Sequence, residues 1–404
     1  MGRLNALKRL IIDCSLNIRS FSISRDPYTW VFGEWTGKRC GDNSTILANY
    51  VAKNHKEIKV YWIAYDGSDT SLLFDGVTVL TMDSPDARKI LLIAGAAFMT
   101  HDMRDFSSKG YNYLAGAFIV QLWHGIAWKY IGMDAIAKKS IPYKLYYRLL
   151  YKMMPSDLYI VPSEDYATYM KTAFLAKDYQ LLRTGYPRNS VLFNKKSIHE
   201  IRDFTKKKLN ASLGLNIRNE TKVIVYLPTF RDKVEVADSF ESLLQNKNSS
   251  FFDWLLYNDV VILHKAHFVD QESHSSNSIH SKLYNCNHFS ALELMCLSDL
   301  LITDYSSCFF DYLILDKPII HYIYDYDYYS SEDRGLYYRW EDVACGDVAF
   351  NIDELQKMII KNITDSDSNK ALREKRRKQY ITYENPNSCE QIFNVVLKRL
   401  NVKE

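Results

Sequence analysis

Three groups of residues in this chain have the types and spacing for chemistry on a phosphorylated ligand. The first is Leu300–Tyr322, which reads L-L-I-T-D-Y-S-S-C-F-F-D-Y-L-I-L-D-K-P-I-I-H-Y. An apolar run ends at Ile302, and a polar turn of Thr303, Asp304, Tyr305, Ser306 and Ser307 follows. A helix-period stretch containing Asp311 comes next, then Lys317-Pro318 and a second apolar run. The order predicts strand, turn, helix, turn, strand, with polar residues where the helix begins. Helix N-termini present unpaired N–H groups and partial positive charge, so they favour phosphate.

The second group is His124, set between Trp123 and Gly125 at the end of an apolar run, with Lys129 and Asp134 downstream. A histidine there suits a general base, because its reference pKa of ~6.5 lies near working pH. The same position also suits a histidine that only packs. The third group is cationic. His264-Lys265-Ala266-His267 and Pro228-Thr229-Phe230-Arg231-Asp232 each close an apolar run. Arg231 offers a planar fork for phosphate, and a surface Arg–Asp pair is the plainer reading. A metal reading of the two histidines lacks a third ligand at supporting spacing. The tyrosine- and acid-rich loop from Asp325 ends in Arg334-Gly335, and its Asp325-Tyr326-Asp327 has a D-x-D form. No G-x-x-x-x-G-K-[ST], G-x-G-x-x-G or G-x-S-x-G motif occurs.

These residues need elements to hold them. Trp30–Phe32, Ile58–Ala64, Val77–Leu80, Ala96–Thr100, Ala117–Leu122, Leu158–Val161 and Gln180–Thr184 read as strands alternating with helices. Asp42-Asn43-Ser44 caps a helix running to about Asn54. The charged, helical Lys196–Leu209 marks the connection to a second alternating set. That set has strands at Lys222–Tyr226 and Val260–His264 and a helix at Leu292–Leu297. The βαβ segment above follows, then late helices at Glu354–Ile363 and Cys389–Leu400. The expected fold is α/β, with two doubly wound sheets facing a cleft and ligands beyond the carboxyl ends of the strands.

At 404 residues and 47% hydrophobic content, the chain has material for two cores. A net charge of +3 gives no reason to expect nucleic acid. Seven scattered cysteines with no C-x-x-C read as reduced thiols. No apolar run reaches the ~18–20 residues of a membrane span, and no signal peptide is apparent, so a cytosolic location is expected. Residues 3–19 predict a helix with Leu4, Leu7, Ile11, Cys14 and Ile18 on one face and Lys8 and Arg9 among its bases. Residues 141–154 predict another, with Lys144, Arg148 and Lys152 as a basic stripe beside Ile141, Leu145 and Leu149. Both patterns suit an interfacial helix on an anionic membrane, and equally a helix packed on its own domain.

The pieces also form an ordered series. It runs Trp123-His124-Gly125 with Lys129, Gly132 and Asp134, then Pro162-Ser163, Thr184-Gly185-Tyr186-Pro187-Arg188, Pro228-Thr229-Phe230-Arg231 and Lys265-x-His267. Ser298-Asp299, Thr303-Asp304-Tyr305-Ser306-Ser307, Phe310-Asp311, Lys317-Pro318 and Asp325 to Arg334-Gly335 complete it. In this the chain resembles the CDP-glycerol glycerophosphotransferases of teichoic acid synthesis. Ile126-Ala127, Phe268 and His321-Tyr322 depart from the usual pattern, and these departures bear on the acceptor and the polyol rather than on the reaction type.

The resemblance implies a GT-B fold. It divides the chain into a membrane-associating helix (1–25), a Rossmann-like acceptor domain (26–195, with a membrane helix at 141–154) and a Rossmann-like CDP-donor domain (196–404). It implies transfer of glycerol phosphate from CDP-glycerol, or ribitol phosphate from CDP-ribitol, to a hydroxyl of an undecaprenyl-diphosphate-linked saccharide, releasing CMP. His124 and His267 are then catalytic. Arg231, Thr303, Asp304, Ser306, Ser307, Asp311 and Arg334 are on the donor side, and Trp123, Gly125, Lys129 and Asp134 on the acceptor side. No metal or cofactor is expected. The enzyme would work at the cytoplasmic face of the bacterial membrane as a peripheral protein, with homo-oligomers possible. A poly(glycerol or ribitol phosphate) polymerase, a GT-B glycosyltransferase using a nucleotide sugar and a non-catalytic lipid- or polymer-binding protein stand as alternatives.

Overall fold

A computed structural model of the chain describes residues 3–20, 22–153, 156–229, 249–265, 278–280, 282–326, 336–365 and 367–400. It divides into two compact units. The first comprises Met1–Gly125, Ile131–Ser190 and Thr382–Glu404, the second Ile126–Tyr130 and Val191–Ile381.

The first unit is built on strands β1 (Asp26–Phe32), β2 (Lys59–Ala64), β3 (Thr78–Thr81), β4 (Ala94–Met99), β5 (Phe118–Gln121), β6 (Leu158–Val161) and β7 (Leu181–Arg183). They pair in the order β3-β2-β1-β4-β5-β6-β7, every pair parallel. The strand residues Val31, Ile63, Ala97 and Ile119 meet Leu91 and Phe106 in the core. Parallel strands covered on both faces carry continuous apolar runs, and β4 and β6 are buried throughout. Ser84 caps the helix Pro85–Ile93, with Pro85 in its first turn, and Ser163 caps Glu164–Ala173.

The second unit repeats the plan with β8 (Lys222–Leu227), β9 (Val260–His264), β10 (Ser278–His280), β11 (Leu283–Asn285), β12 (Leu300–Thr303), β13 (Ile319–Tyr322) and β14 (Asp347–Ala349). Their order is β10-β11-β9-β8-β12-β13-β14, parallel except for the β10–β11 pair. Ile224, Ile262, Ile302 and Tyr322 form its core with Leu355 and Ile359 of the helix Ile352–Thr364. In each sheet the strand order reverses at one point, between β1 and β4 and between β8 and β12. Such switch points open a crevice at the carboxyl ends of the strands.

The division differs from a single cut at 195/196. The junction lies at 190/191, ahead of the helix Lys195–Leu213. Residues 382–404 belong to the first unit, not the second. There Phe393, on the helix Ser388–Arg399, stacks on His55 at 3.5 Å and lies 5.3 Å from Trp30. Glu384 accepts from Tyr186 N–H and from the Asn189 amide at 3.1 Å each. Residues 126–130, including Lys129, belong to the second unit. Tyr337 N–H donates to Trp128 O at 2.8 Å, Trp128 Nε1 donates to Tyr338 O at 2.9 Å, and the Trp128 indole stacks on Trp340 at 5.2 Å.

Both helices with interfacial patterns form, as Arg3–Ser20 and Ile141–Met153. Asp13 is buried and accepts from Asn112 N–H at 3.0 Å, which fixes the polar side of the first helix to its unit. Of its apolar stripe, Ile11 and Ile18 face outward, 62% and 71% exposed. Ile141, Leu145 and Leu149, at i, i+4 and i+8 of the second helix, are exposed as well. No helix among the described residues is long and apolar enough to cross a membrane.

Candidate active site

His124 follows β5 in the first unit, and every backbone carbonyl around it is held by a side chain. Asn43 Nδ2 donates to Trp123 O at 2.9 Å, and Arg188 Nη1 donates to His124 O at 2.9 Å. The buried Tyr166 and Tyr186 hydroxyls donate to Gly125 O at 3.3 and 3.2 Å. Gln121 receives Trp123 N–H at 2.9 Å and donates to His101 O at 2.8 Å, tying the ends of β4 and β5 together. Arg188 Nη1 also reaches Asp42 Oδ1 at 2.7 Å, and Asp42 Oδ2 takes the Trp35 indole N–H at 3.0 Å.

Backbone strain gathers here. Trp35 (φ 49°), Thr36 (φ 55°) and Trp123 (φ 57°) adopt the left-handed region that non-glycine residues avoid, and Gly125 has φ 131°. Such residues persist where surrounding bonds over-determine them, and they cluster at functional sites.

The ring of His124 is half-buried in an aromatic stack. Trp123 lies on it at 4.5 Å between centroids, and His101, the second residue after β4, lies parallel to it at 4.3 Å and 11°. Trp35 tilts against both rings, with the Arg39 guanidinium 3.8 Å from the indole centroid. Nδ1 of His124 is 2.9 Å from Thr100 O. A carbonyl can only accept, so Nδ1 carries the hydrogen and Nε2 keeps its lone pair. Burial pushes the His124 imidazole down to about 3, the His101 ring adding to the effect against the Thr100 carbonyl and Asp42. Burial likewise takes His101 down to about 4, and it pushes the Asp105 carboxyl up to about 7 despite three backbone N–H donors. Burial works to raise Asp42, but Arg188 and then His124 hold it below the usual carboxylate range. Both imidazoles are therefore neutral near pH ~7, and His124 has the form a base requires.

In the second unit, β8 and β12 lie side by side with Thr303 opposite Leu227, and Thr303 Oγ1 donates to Leu227 O at 2.7 Å. The buried Asp304 accepts from Thr229 N–H at 2.8 Å, from Thr229 Oγ1 at 2.7 Å and from Ser306 N–H at 3.1 Å. It staples together the two turns at the switch point. Ser306 and Ser307 are half-buried at the start of the helix Cys308–Tyr312, while Thr303 and Asp311 are buried behind them. A site at this turn can offer a ligand the two serines and the backbone, with Asp304 setting their geometry.

The structure thus brings Trp123, His124 and Gly125 together in the first unit and Thr303, Asp304, Ser306, Ser307 and Asp311 together in the second. Asp134 accepts from Thr172 Oγ1 at 2.7 Å in the first unit, and Lys129 pairs with Leu336 in the second. His264 of the cationic cluster packs, 6% exposed, on Tyr226. Lys265 Nζ donates to Asn287 O at 2.7 Å. Arg231, His267 and Arg334 lie outside the described residues, as do the side chains of Lys8 and Arg9. Sequence reasoning missed His101; it placed Asp42 as a helix cap, which it is, and Arg188 in the ordered series, but not their pairing behind His124. His101 stands one residue past an expected strand end, the same signal that singled out His124, whereas Asp42 and Arg188 meet across 146 residues. Among the described residues, no three His, Cys, Asp or Glu side chains gather as a metal-ligand set.

The chain is similar to known proteins over most of its length. The chain is 26% identical over 329 residues to a teichoic acid poly(glycerol phosphate) polymerase of Bacillus subtilis (strain 168), covering 81% of this chain and 43% of that protein. It is 28% identical over 330 residues to a teichoic acid glycerol-phosphate transferase of Staphylococcus aureus, covering 79% and 80%. The chain therefore spans less than half of the first relative and about four fifths of the second. Among solved structures, the wall teichoic acid polymerase TagF superposes with a TM-score of 0.77 at 20% identity over 99% of each chain. A UDP-GlcNAc 2-epimerase from Neisseria meningitidis gives 0.55 at 14% identity, over 92% of this chain and 99% of that one. At these identities the likeness shows the fold alone. The family model described as CDP-Glycerol:Poly(glycerophosphate) glycerophosphotransferase matches residues 16–398, nearly the whole chain; the chain belongs to that family.

Proposed function

We propose that the protein moves glycerol phosphate from CDP-glycerol to a hydroxyl of an undecaprenyl-diphosphate-linked saccharide, releasing CMP, on a GT-B scaffold. The observation that carries the mechanism is the tautomer of His124. Its Nδ1 hydrogen is committed to Thr100 O, so Nε2 is the free acceptor. In this reading Nε2 takes the proton of the acceptor hydroxyl as its oxygen bonds to the β-phosphorus, the one bearing glycerol. The bond from that phosphorus to the bridging oxygen breaks, and CMP leaves with the electron pair. The proton is later passed to solvent. The charge of a bound diphosphate would strengthen His124 as a base, by opposing the burial that holds its affinity for protons down.

On the donor side, Ser306 and Ser307 hold phosphate oxygens, and Asp304 keeps their turn in place. Arg231, His267 and Arg334 are assigned to the diphosphate by their places in the ordered motifs. Cationic side chains and positioning can carry phosphoryl transfer, so the reaction is read as metal-independent. The exposed stripes of Ile11 and Ile18 and of Ile141, Leu145 and Leu149 support peripheral docking at the cytoplasmic membrane face.

A primase-like single addition is preferred. The polymerase names of several relatives favour repeated addition as the second reading, and product length separates the two. The test incubates purified protein with CDP-glycerol or CDP-ribitol, a panel of lipid-linked acceptors and EDTA, and measures CMP and product mass. CMP release with EDTA present is expected, and His124→Ala should lower turnover ~10²-fold with donor binding retained. Release of UDP from a nucleotide sugar in place of CMP would overturn the donor assignment.

A further inference from the structure

Thr100 holds both stacked histidines. Its main-chain oxygen takes the His124 Nδ1 hydrogen at 2.9 Å, and its Oγ1 lies 2.9 Å from His101 Nδ1. With both Nδ1 atoms turned to one buried residue and the rings parallel to within 11°, both Nε2 atoms lie on the ring edges turned away from it. Neither ring is sealed from solvent, since the His101 side chain keeps 21% of its exposure and His124 is half-buried. The 4.3 Å spacing of the rings sets the order of separation of the two Nε2 atoms.

Thr100 Oγ1 accepts from Trp35 N–H at 3.4 Å and, with a second lone pair and a rotatable hydrogen, can either give to or take from His101 Nδ1. When it gives, His101 Nδ1 is the acceptor and its Nε2 carries the hydrogen. Asp105, whose oxygens take Thr36, Thr100 and His101 N–H, stays 3.9 Å from that ring, beyond hydrogen-bond reach of Nδ1. That arrangement sets an acceptor nitrogen on His124 beside a donor nitrogen on His101.

We propose that His101 is a second acceptor-site residue: its Nε2–H donates to the hydroxyl on the carbon next to the one whose proton His124 takes. The substrate class this selects is a vicinal diol, as at a glycerol end or on a sugar ring. His101 then fixes which hydroxyl attacks. The inference rests on the transferase reading above.

The test takes two lipid-linked acceptors, one ending in the saccharide and one in glycerol phosphate, and compares each with its analogue lacking the neighbouring hydroxyl, a deoxy sugar in the first case and 3-hydroxypropyl phosphate in the second. A site built around a substrate hydroxyl rejects the analogue without it, because its own donor is left unpaired. The native protein should prefer the diol by ~10²-fold in kcat/KM. His101→Phe keeps an aromatic ring in the stack and should lose that preference, by falling much further on the diol than on the mono-ol. His101→Gln, whose amide can donate from a similar place, should retain most of the preference. Equal use of an acceptor and its analogue by the native protein overturns the inference whether or not any variant folds. So does an undiminished preference in His101→Phe. If the native protein releases no CMP with the saccharide acceptor or with the glycerol phosphate acceptor, the transferase reading falls and this inference falls with it.

Discussion

Arg188 answers two needs with one nitrogen, since Nη1 reaches both the Asp42 carboxylate and the His124 carbonyl. Both side chains of the pair are largely buried, 15% and 6% exposed. Arg188→Met leaves Asp42 buried without its ion-pair partner, a change that costs ~3 kcal/mol at neutral pH. The pH dependence follows from the two directions of shift. In the native protein Asp42 lies below its unfolded value of ~3.9, so its contribution is present above that value and lost as pH falls through the folded one. In the variant burial is opposed only by the neutral donors of Trp35 and Asn43 and by weaker charges, and raises the carboxyl, so stability falls as pH climbs above ~4. The expected outcome is a Tm deficit that is larger near pH ~8 than near pH ~5. A deficit of equal size at both would show that lost packing, rather than the ion pair, is responsible.

The elements that position the sites were mostly legible, because buried parallel strands advertise themselves as apolar runs. Val260–His264 and Leu158–Val161 appear as expected from sequence. The misses have physical causes. The helix Lys370–Tyr380 shows no clear apolar period, because its largest buried contact is a charge. Arg373 is 1% exposed and is bonded to Asp316 and Asp367. At three residues, β14 is too short to display a period of two. The His101–His124 stack needed β4 and β5 to be neighbours, and strand order is a property of the folded sheet. The periodicity of Ile141–Met153, by contrast, was plain, while its meaning was not. The structure leaves Leu145 60% and Leu149 46% exposed, beside the basic Arg148. If that stripe enters a membrane interface, Leu145→Glu with Leu149→Glu should weaken binding to anionic vesicles at least ~10-fold, with helix content unchanged by circular dichroism. Vesicle binding equal to that of the native protein would remove this helix from the membrane assignment.

Taken whole, the molecule is threaded less simply than its two sheets suggest. The chain passes from one unit to the other after Gly125, Tyr130, Ser190 and Ile381. The last passage returns the helix Ser388–Arg399 to the first unit, where Phe393 is 3% exposed against Trp30 and His55. Phe393→Ala should cost ~3–4 kcal/mol. Hydrogen exchange should quicken in β1 and leave β8 and β12 protected as before. Loss of protection in β8 would instead mark the helix as a part of the second unit.

The return of the tail makes the molecule a poor kit of parts. Neither unit is a continuous stretch of sequence, so no single cut yields both. A chimera that exchanged everything after residue 195 would also replace the residues that cover Trp30 and brace Tyr186. A hybrid that exchanges the second unit should instead take its block from 191 to 381 and keep 126–130 with that block. Recombination among relatives is bound by the same rule, with the helix Ser388–Arg399 inherited alongside the half that it completes.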